Sequence, residues 1–230
     1  MNTVLEARGL NFSYDGGRPV LQNIDFRASE GECLGIVGGN GAGKSTLLWC
    51  LMGLLKASGS IYLFGKELQK ESLGRVGMVF QNSEDQLFMP TILDDVTLPL
   101  VNRGLNIQYA RKIALEKLEE LGLRDQASRP ATKLSMGERK RAAIAAALSL
   151  SPEILLLDEP TAELDGRSVR ELAGLLRQLP FTRIITSHHV DFLRMIASRT
   201  LILSTGRILA DAPTPDVLGN PAMLEAANLV

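Results

Sequence analysis

The stretch Gly38-Gly39-Asn40-Gly41-Ala42-Gly43-Lys44-Ser45-Thr46 constrains this chain more than any other. It follows a short apolar run, Cys33 to Val37, and a helical pattern begins at Lys44. The spacing G-x-x-x-x-G-K-[S/T] between a strand and a helix is that of a phosphate-binding loop. Glycines let the backbone turn tightly, so that several N–H groups face phosphate oxygens. The following helix adds its positive end. Lys44 supplies charge for β- and γ-phosphates, and the Ser45 hydroxyl can ligate Mg²⁺. A strand end and a helix start must therefore meet at one point, as they do in an α/β sheet.

The rest of the chain fits such a sheet. Ile154 to Leu157 is a buried-strand run closed by Asp158 and Glu159. An acid at the end of such a strand, beside a phosphate loop, is the usual Mg²⁺-side carboxylate. Asp158 is the expected Mg²⁺ residue, acting mainly through water, and Glu159 is placed to polarise an attacking water. Arg75 to Phe80, Arg183 to Thr186 and Thr200 to Leu203 read as further strands. Thr3 to Arg8 and Ile24 to Ala28 read as antiparallel strands, turned at Asp15-Gly16-Gly17. Ser168 with Glu171 reads as a capping box before a helix carrying Val169, Leu172, Leu175, Leu176 and Leu179.

The middle differs. Tyr109 to Leu121 reads as a helix ended by Gly122, and Ser135 precedes a second one running to Leu150, stopped by Pro152. A helical insert over 82–150 between core parts 1–81 and 151–230 of a single 1–230 domain is the expected organisation. Ser204 to Ala210 reads as a hairpin, and Pro215 to Leu229 as one or two short helices.

Composition narrows the function. Basic and acidic residues number 25 and 26, which argues against a protein that coats nucleic acid. Mean hydropathy is +0.08, and no apolar run approaches the ~18 residues of a membrane span. No secretory signal is visible at the N-terminus, so the chain is expected to be cytosolic. Cys33 and Cys50 read as buried apolar residues. Met52, Met78 and Met89 read as core filler, Trp49 as packed against the helical insert, and Arg139-Lys140-Arg141 as a solvated helix face.

Phosphate loop and strand-end acids specify a nucleotide phosphohydrolase or a kinase. Leu134-Ser135-Met136-Gly137-Glu138-Arg139-Lys140-Arg141 decides between them. It resembles the signature motif of the ABC ATPase family, usually L-S-G-G-Q/E. Other motifs follow in the family's order: Gln81 after a strand as the Q-loop, Ala162-Glu163-Leu164-Asp165 as the D-loop, and His188 after Ile184-Ile185-Thr186-Ser187 as the switch histidine. Tyr14 sits where the family stacks an aromatic ring on adenine. The resemblance covers nearly the whole chain and argues against a kinase.

It implies two chains packed head to tail, with ATP and Mg²⁺ between the phosphate loop of one and the signature segment of the other. Ser135 and the Gly137 backbone would complete the site in trans, and Asp165 of the D-loop would be a further nucleotide-binding residue. Ser135 is a good N-cap, and the start of its helix offers free N–H groups to a γ-phosphate. Ser45, Gln81 and Asp158 would hold Mg²⁺. Lys44, Gln81, Glu159 and His188 would carry catalysis, with His189 as the fallback for His188. Three positions depart from the pattern. Met136 replaces the first signature glycine, Gly39 stands where proline is common, and His189 stands where Asp often follows the switch histidine.

Val79-Phe80-Gln81-Asn82-Ser83-Glu84-Asp85-Gln86-Leu87-Phe88 resembles a string typical of energy-coupling ATPases of cobalt, nickel and vitamin uptake, with Ser83 for the usual proline. The resemblance implies an ATPase on the cytoplasmic side of the cell membrane. Permease subunits would dock near Gln81 to Met89, with Leu87, Phe88 and Met89 giving apolar contact. The ATPase partner would be a second copy or a similar chain, with no nucleic acid involved. The chain stops at Val230, whereas longer vitamin-type members carry an additional C-terminal dimerisation region. The expectation therefore favours a metal ion, with a vitamin-type system or another ABC transporter ATPase as the alternative and a soluble ABC ATPase acting on nucleic acid or ribosomes as a remote one.

Overall fold

A computed structural model describes residues 2–15, 17–227 and 229. The chain begins with β1 (Thr3–Ser13) and β2 (Pro19–Ser29), which pair antiparallel and run longer than the two short strands expected there. Gly17 N donates to Tyr14 O at 2.8 Å in the connection, while Gly16, the centre of the expected turn, lies outside the described residues. Then come β3 (Cys33–Val37), α1 (Lys44–Leu51), β4 (Ser58–Leu63), β5 (Lys66–Glu67) and β6 (Val76–Val79). Three helices follow: α2 (Ile92–Asn102), α3 (Ile107–Glu120) and α4 (Met136–Leu148). The chain returns through β7 (Ile154–Asp158), α5 (Gly166–Gln178), β8 (Thr182–Ser187), α6 (Val190–Ile196) and β9 (Arg199–Ser204). It closes with β10 (Arg207–Pro213), α7 (Thr214–Leu218) and α8 (Pro221–Ala226), the hairpin and short helices expected there.

Two sheets result. The smaller is antiparallel, in the order β2-β1-β4-β5. The larger runs β10-β9-β3-β8-β7-β6, parallel except for β10 at one edge. Every residue of β3, β7 and β8 is buried, because both faces of the parallel sheet are covered. Alternation sorts their side chains between two apolar cores. Leu34, Ile36, Ile154 and Leu156 face the antiparallel sheet and α1. Val37, Leu155 and Leu157 face the core shared with α2 to α6. The parallel strands end together, which brings the loops after β3, β7 and β8 to one edge, where α/β sheets bind ligands.

Helix starts are capped by side chains. Thr91, Asn106, Ser135 and Asp165 accept from backbone N–H groups of α2, α3, α4 and α5. The expected capping box of Ser168 and Glu171 does not form. Asp165 Oδ1 takes the Ser168 N–H at 2.7 Å, so α5 begins three residues earlier, and Glu171 pairs with Arg167 instead. Helix α4 stops at Leu148, two residues short of the expected end. Trp49 packs with the core between α1 and the two sheets, in the cluster that holds Leu48 and Leu51, rather than with the helical segment. Its ring also borders a cleft toward α4. Cys33 and Cys50 are buried as expected, and burial pushes both thiols up to about 11.

Candidate functional site

The phosphate loop leaves β3 and enters α1. Gly38 is required by a close approach: a Cβ there would lie 2.1 Å from Leu203 O on the neighbouring strand. Gly43 caps α1 with φ of 103°, a left-handed backbone that favours glycine. These two residues let the chain turn back over its own lysine. Lys44 is only 7% exposed, and its Nζ donates to Gly38 O at 2.8 Å and Gly39 O at 3.3 Å. The same ammonium lies 3.2 Å from Glu159 Oε1.

Glu159 follows the last residue of β7 with φ of 42°, a strained conformation for a non-glycine residue. Neighbouring β8 fixes it, since the Glu159 N–H donates to Thr186 O at 3.1 Å and Thr186 Oγ1 at 3.0 Å. Its second carboxylate oxygen, Oε2, accepts from the His188 backbone N–H at 3.1 Å and lies 2.8 Å from His188 Nδ1. Glu159 is thus pinned between Lys44 and His188, both reached from the carboxyl ends of parallel strands. His189 makes no such contact: it heads α6, and its N–H donates to Ser187 Oγ at 3.0 Å.

Asp158 is buried one residue earlier. Its Oδ1 accepts from Thr186 Oγ1 at 2.7 Å, and the Ser45 hydroxyl also acts on the same carboxylate. Burial pushes the Asp158 carboxyl up from its ordinary range, opposed by those two hydroxyls and by Lys44. A cation beside it would relieve that cost. Ser45, Gln81 and Asp158 line one cleft of about 380 Å³. A hydroxyl, an amide oxygen and a carboxylate form an all-oxygen donor set, which suits Mg²⁺. Among the described residues, no group of three or more His, Cys, Asp or Glu side chains is arranged to hold a metal ion by itself.

A second cleft of about 400 Å³ joins the expected nucleotide residues. Asn40, Gly41, Ala42, Gly43, Lys44, Ser45 and Thr46 line it together with Tyr14, Gln81, Glu159 and His188. The Tyr14 ring meets Phe12 edge-on at 4.9 Å, and its hydroxyl lies 3.2 Å from Thr46 Oγ1. Ser135, Gly137 and Asp165 stand apart from this cleft. Ser135 and Glu138 form a full capping box at the start of α4, with Glu138 Oε2 accepting from Ser135 N and Oγ, each at 2.8 Å. These hydrogen bonds hold the Glu138 carboxyl below its usual range. Asp165 is used as the cap of α5.

The charge run on α4 is not solvated throughout. Lys140 is buried, and its Nζ donates to Gln81 O at 2.7 Å. Burial lowers its ammonium to about 8, partly offset by the charges of Glu163 and Asp158. Arg139 reaches Glu84 at 2.7 Å. The helical face that carries Lys140 toward the Gln81 segment cannot be read from a helix whose residues Ala142 to Leu148 are all buried. The expected apolar trio also divides. Leu87 is part of the core, Met89 is half-buried and Phe88 is 68% exposed.

A strand-end glutamate held beside a phosphate-loop lysine defines a phosphate-loop nucleotide hydrolase. The comparisons then fix the family. The model of the ABC transporter family matches residues 21–162. The energy-coupling factor transporter ATP-binding protein EcfA of Methanosphaera stadtmanae is 36% identical over 100% of this chain and 86% of its own length. The structure of cbiO1 from Clostridium perfringens, part of the ABC transporter complex cbiONQ, is 32% identical with a TM-score of 0.86, covering 100% of this chain and 96% of that one. A dimeric ATP-binding cassette bound to ADP and phosphate is 28% identical with a TM-score of 0.82, over 91% and 98% of the two chains. The chain belongs to the ABC transporter ATPase family and is an ATP-binding, ATP-hydrolysing cassette.

Proposed function

We propose that this ATPase drives an energy-coupling membrane importer of the cobalt or nickel type from the cytoplasmic face. The observation that carries its chemistry is Glu159 pinned between Lys44 and His188. In this reading Glu159 polarises the water that attacks the γ-phosphate. His188 holds that carboxylate and senses the phosphate, and Lys44 neutralises β and γ oxygens. Tyr14 stacks on the adenine, and amides of residues 38–46 cradle the phosphates. Ser45, Gln81 and Asp158 hold Mg²⁺, which when bound neutralises phosphate charge.

Ser135, Gly137 and Asp165 lie outside the nucleotide cleft. We read them as the half-site offered to a second ATPase, identical or similar, packed head to tail. The dimeric relative bound to ADP and phosphate supports that reading. The whole chain acts as one domain, with 82–150 as the helical part that moves against 1–81 and 151–230. Closure on ATP carries that part toward the partner, and hydrolysis resets it.

An apolar groove supports docking of a permease segment. It is lined by Leu54, Met78, Phe80, Phe88, Leu98 and Pro99 among others, and both Leu54 and Phe88 are exposed. No helix among the described residues is long and apolar enough to cross a membrane, so attachment would pass through such a partner. The likeness to EcfA supports energy coupling, and the likeness to cbiO1, part of an ABC transporter complex, supports assembly with membrane partners; neither names a solute.

The test is affinity purification of the tagged chain from detergent-solubilised membranes of its own host. Recovery of a small membrane subunit with a substrate-binding membrane protein is expected. A vitamin-binding membrane protein would move the solute to the vitamin type. Recovery only of soluble proteins, ribosomes or DNA would sink the transport reading.

A further inference from the structure

Lys140 lies in the signature stretch but has no role in the site described above, yet with Asp158 it is the most deeply buried charged side chain among the described residues, 2% exposed. A buried ammonium is costly unless it is paired and hydrogen-bonded, and an apolar side chain of similar length would often fill the space more stably. The only hydrogen-bond acceptor described for Nζ is the Gln81 carbonyl, at 2.7 Å. Glu163 and Asp158 act on it through space. The charge is therefore kept at a cost, and it is spent on one backbone atom.

That atom belongs to the segment joining β6 to α2. Two other side-chain links tie this segment to α4. Gln86 accepts from Phe80 N at 3.3 Å and donates to Ala143 O at 2.9 Å. Arg139 pairs with Glu84 at 2.7 Å, and Glu84 is exposed, so this pair is weak. Among the described contacts, Lys140 alone holds Gln81 itself to α4. Ser45, Gln81, Asp158 and Lys140 all line the same cleft.

We propose that Lys140 is a positioning residue. By holding the Gln81 carbonyl to the signature helix, it aims the Gln81 side-chain amide across the cleft toward Ser45 and Asp158. The consequence is a mechanical link within one chain: a shift of α4 moves the Gln81 backbone, and a shift of Gln81 moves α4. This rests on the assignment of Gln81 to the Mg²⁺ site.

The test compares the full-length chain with Lys140→Met, Lys140→Arg, Gln81→Ala and the double variant Gln81→Ala/Lys140→Met. Binding of β,γ-imido-ATP is measured by calorimetry, once with Mg²⁺ and once with EDTA. Lys140→Met should leave the EDTA affinity within about twofold but remove about tenfold or more of the gain that Mg²⁺ gives. Lys140→Arg should recover to within about threefold. The double variant should be no worse than Gln81→Ala, because both changes act through one residue. Losses that add in the double variant would overturn the proposal. So would Lys140→Met keeping the Mg²⁺ gain while Gln81→Ala loses it, a failure confined to Lys140. If Gln81→Ala also keeps the gain, the Gln81 assignment falls and Lys140 falls with it. Should Lys140→Met not fold, Lys140→Gln, too short to reach the Gln81 oxygen, takes its place with the same outcomes.

Discussion

Two buried lysines mark the two halves of this molecule. Lys44, at the phosphate loop, has three oxygen partners, one of them the Glu159 carboxylate. Lys140, on the signature helix, has one backbone carbonyl. The core half is assembled in cis, with the loops after β3, β7 and β8 already meeting around Glu159. The signature half is locally complete as a helix cap but contributes neither Ser135 nor Gly137 to the nucleotide cleft. In our account the first half performs chemistry and the second completes it on a partner chain.

The largest effect should come from the core half. Glu159→Gln is expected to lower turnover about 10²- to 10⁴-fold, the usual worth of a positioned acid or base, while ATP binding persists and a dimer is trapped. Near-normal turnover in a steady-state assay would remove Glu159 from the role of polarising water. Lys44→Ala should instead weaken ATP binding itself, by roughly 10²-fold or about 2.7 kcal/mol. It also strands the Glu159 carboxylate without its cation, so melting temperature should fall with it. Calorimetry and thermal melts separate the two contributions.

The paired histidines sharpen the contrast further. His188→Ala removes a side-chain contact to Glu159 and should cost turnover about tenfold, on the order of 1.4 kcal/mol. His189→Ala should change it by less than about twofold, since its ring makes no hydrogen bond with Glu159. Equal losses would contradict the assignment. The smallest effect belongs to the signature half. Met136→Gly should alter turnover by less than about tenfold, on the order of 1 kcal/mol, because Gly137 and the Ser135 cap remain. Complete loss would give the methionine a specific role.

Much of the core half is legible in the sequence, for a physical reason. Strands buried on both faces read as unbroken aliphatic runs, and their ends carry the residues we assign to the chemistry, as in Ile154 to Glu159. The phosphate loop declares itself through glycines that only a tight turn needs. The antiparallel pair β4 and β5 is hidden, because Ser58-Gly59-Ser60 opens β4 with no apolar alternation. Helix α2 is hidden too: Pro99 lies within it, and its cap, Thr91, follows a proline. At α5, Ser168 and Glu171 have the spacing of a capping box, but Asp165 reaches the same N–H first. Lys140 is the most instructive miss. Flanked by Arg139 and Arg141, it looks like part of a solvated stripe, and only the fold of the Gln81 segment over α4 shows that it is buried.

Our central claim is that the nucleotide site is completed by a second chain. The most direct measurement is the specific ATPase activity of the purified chain across a wide concentration range, with light scattering on the same samples. Activity per molecule that rises with concentration, together with a shift from monomer to dimer in ATP, is the predicted result. A constant specific activity down to the lowest concentration, from a chain that stays monomeric, would contradict it.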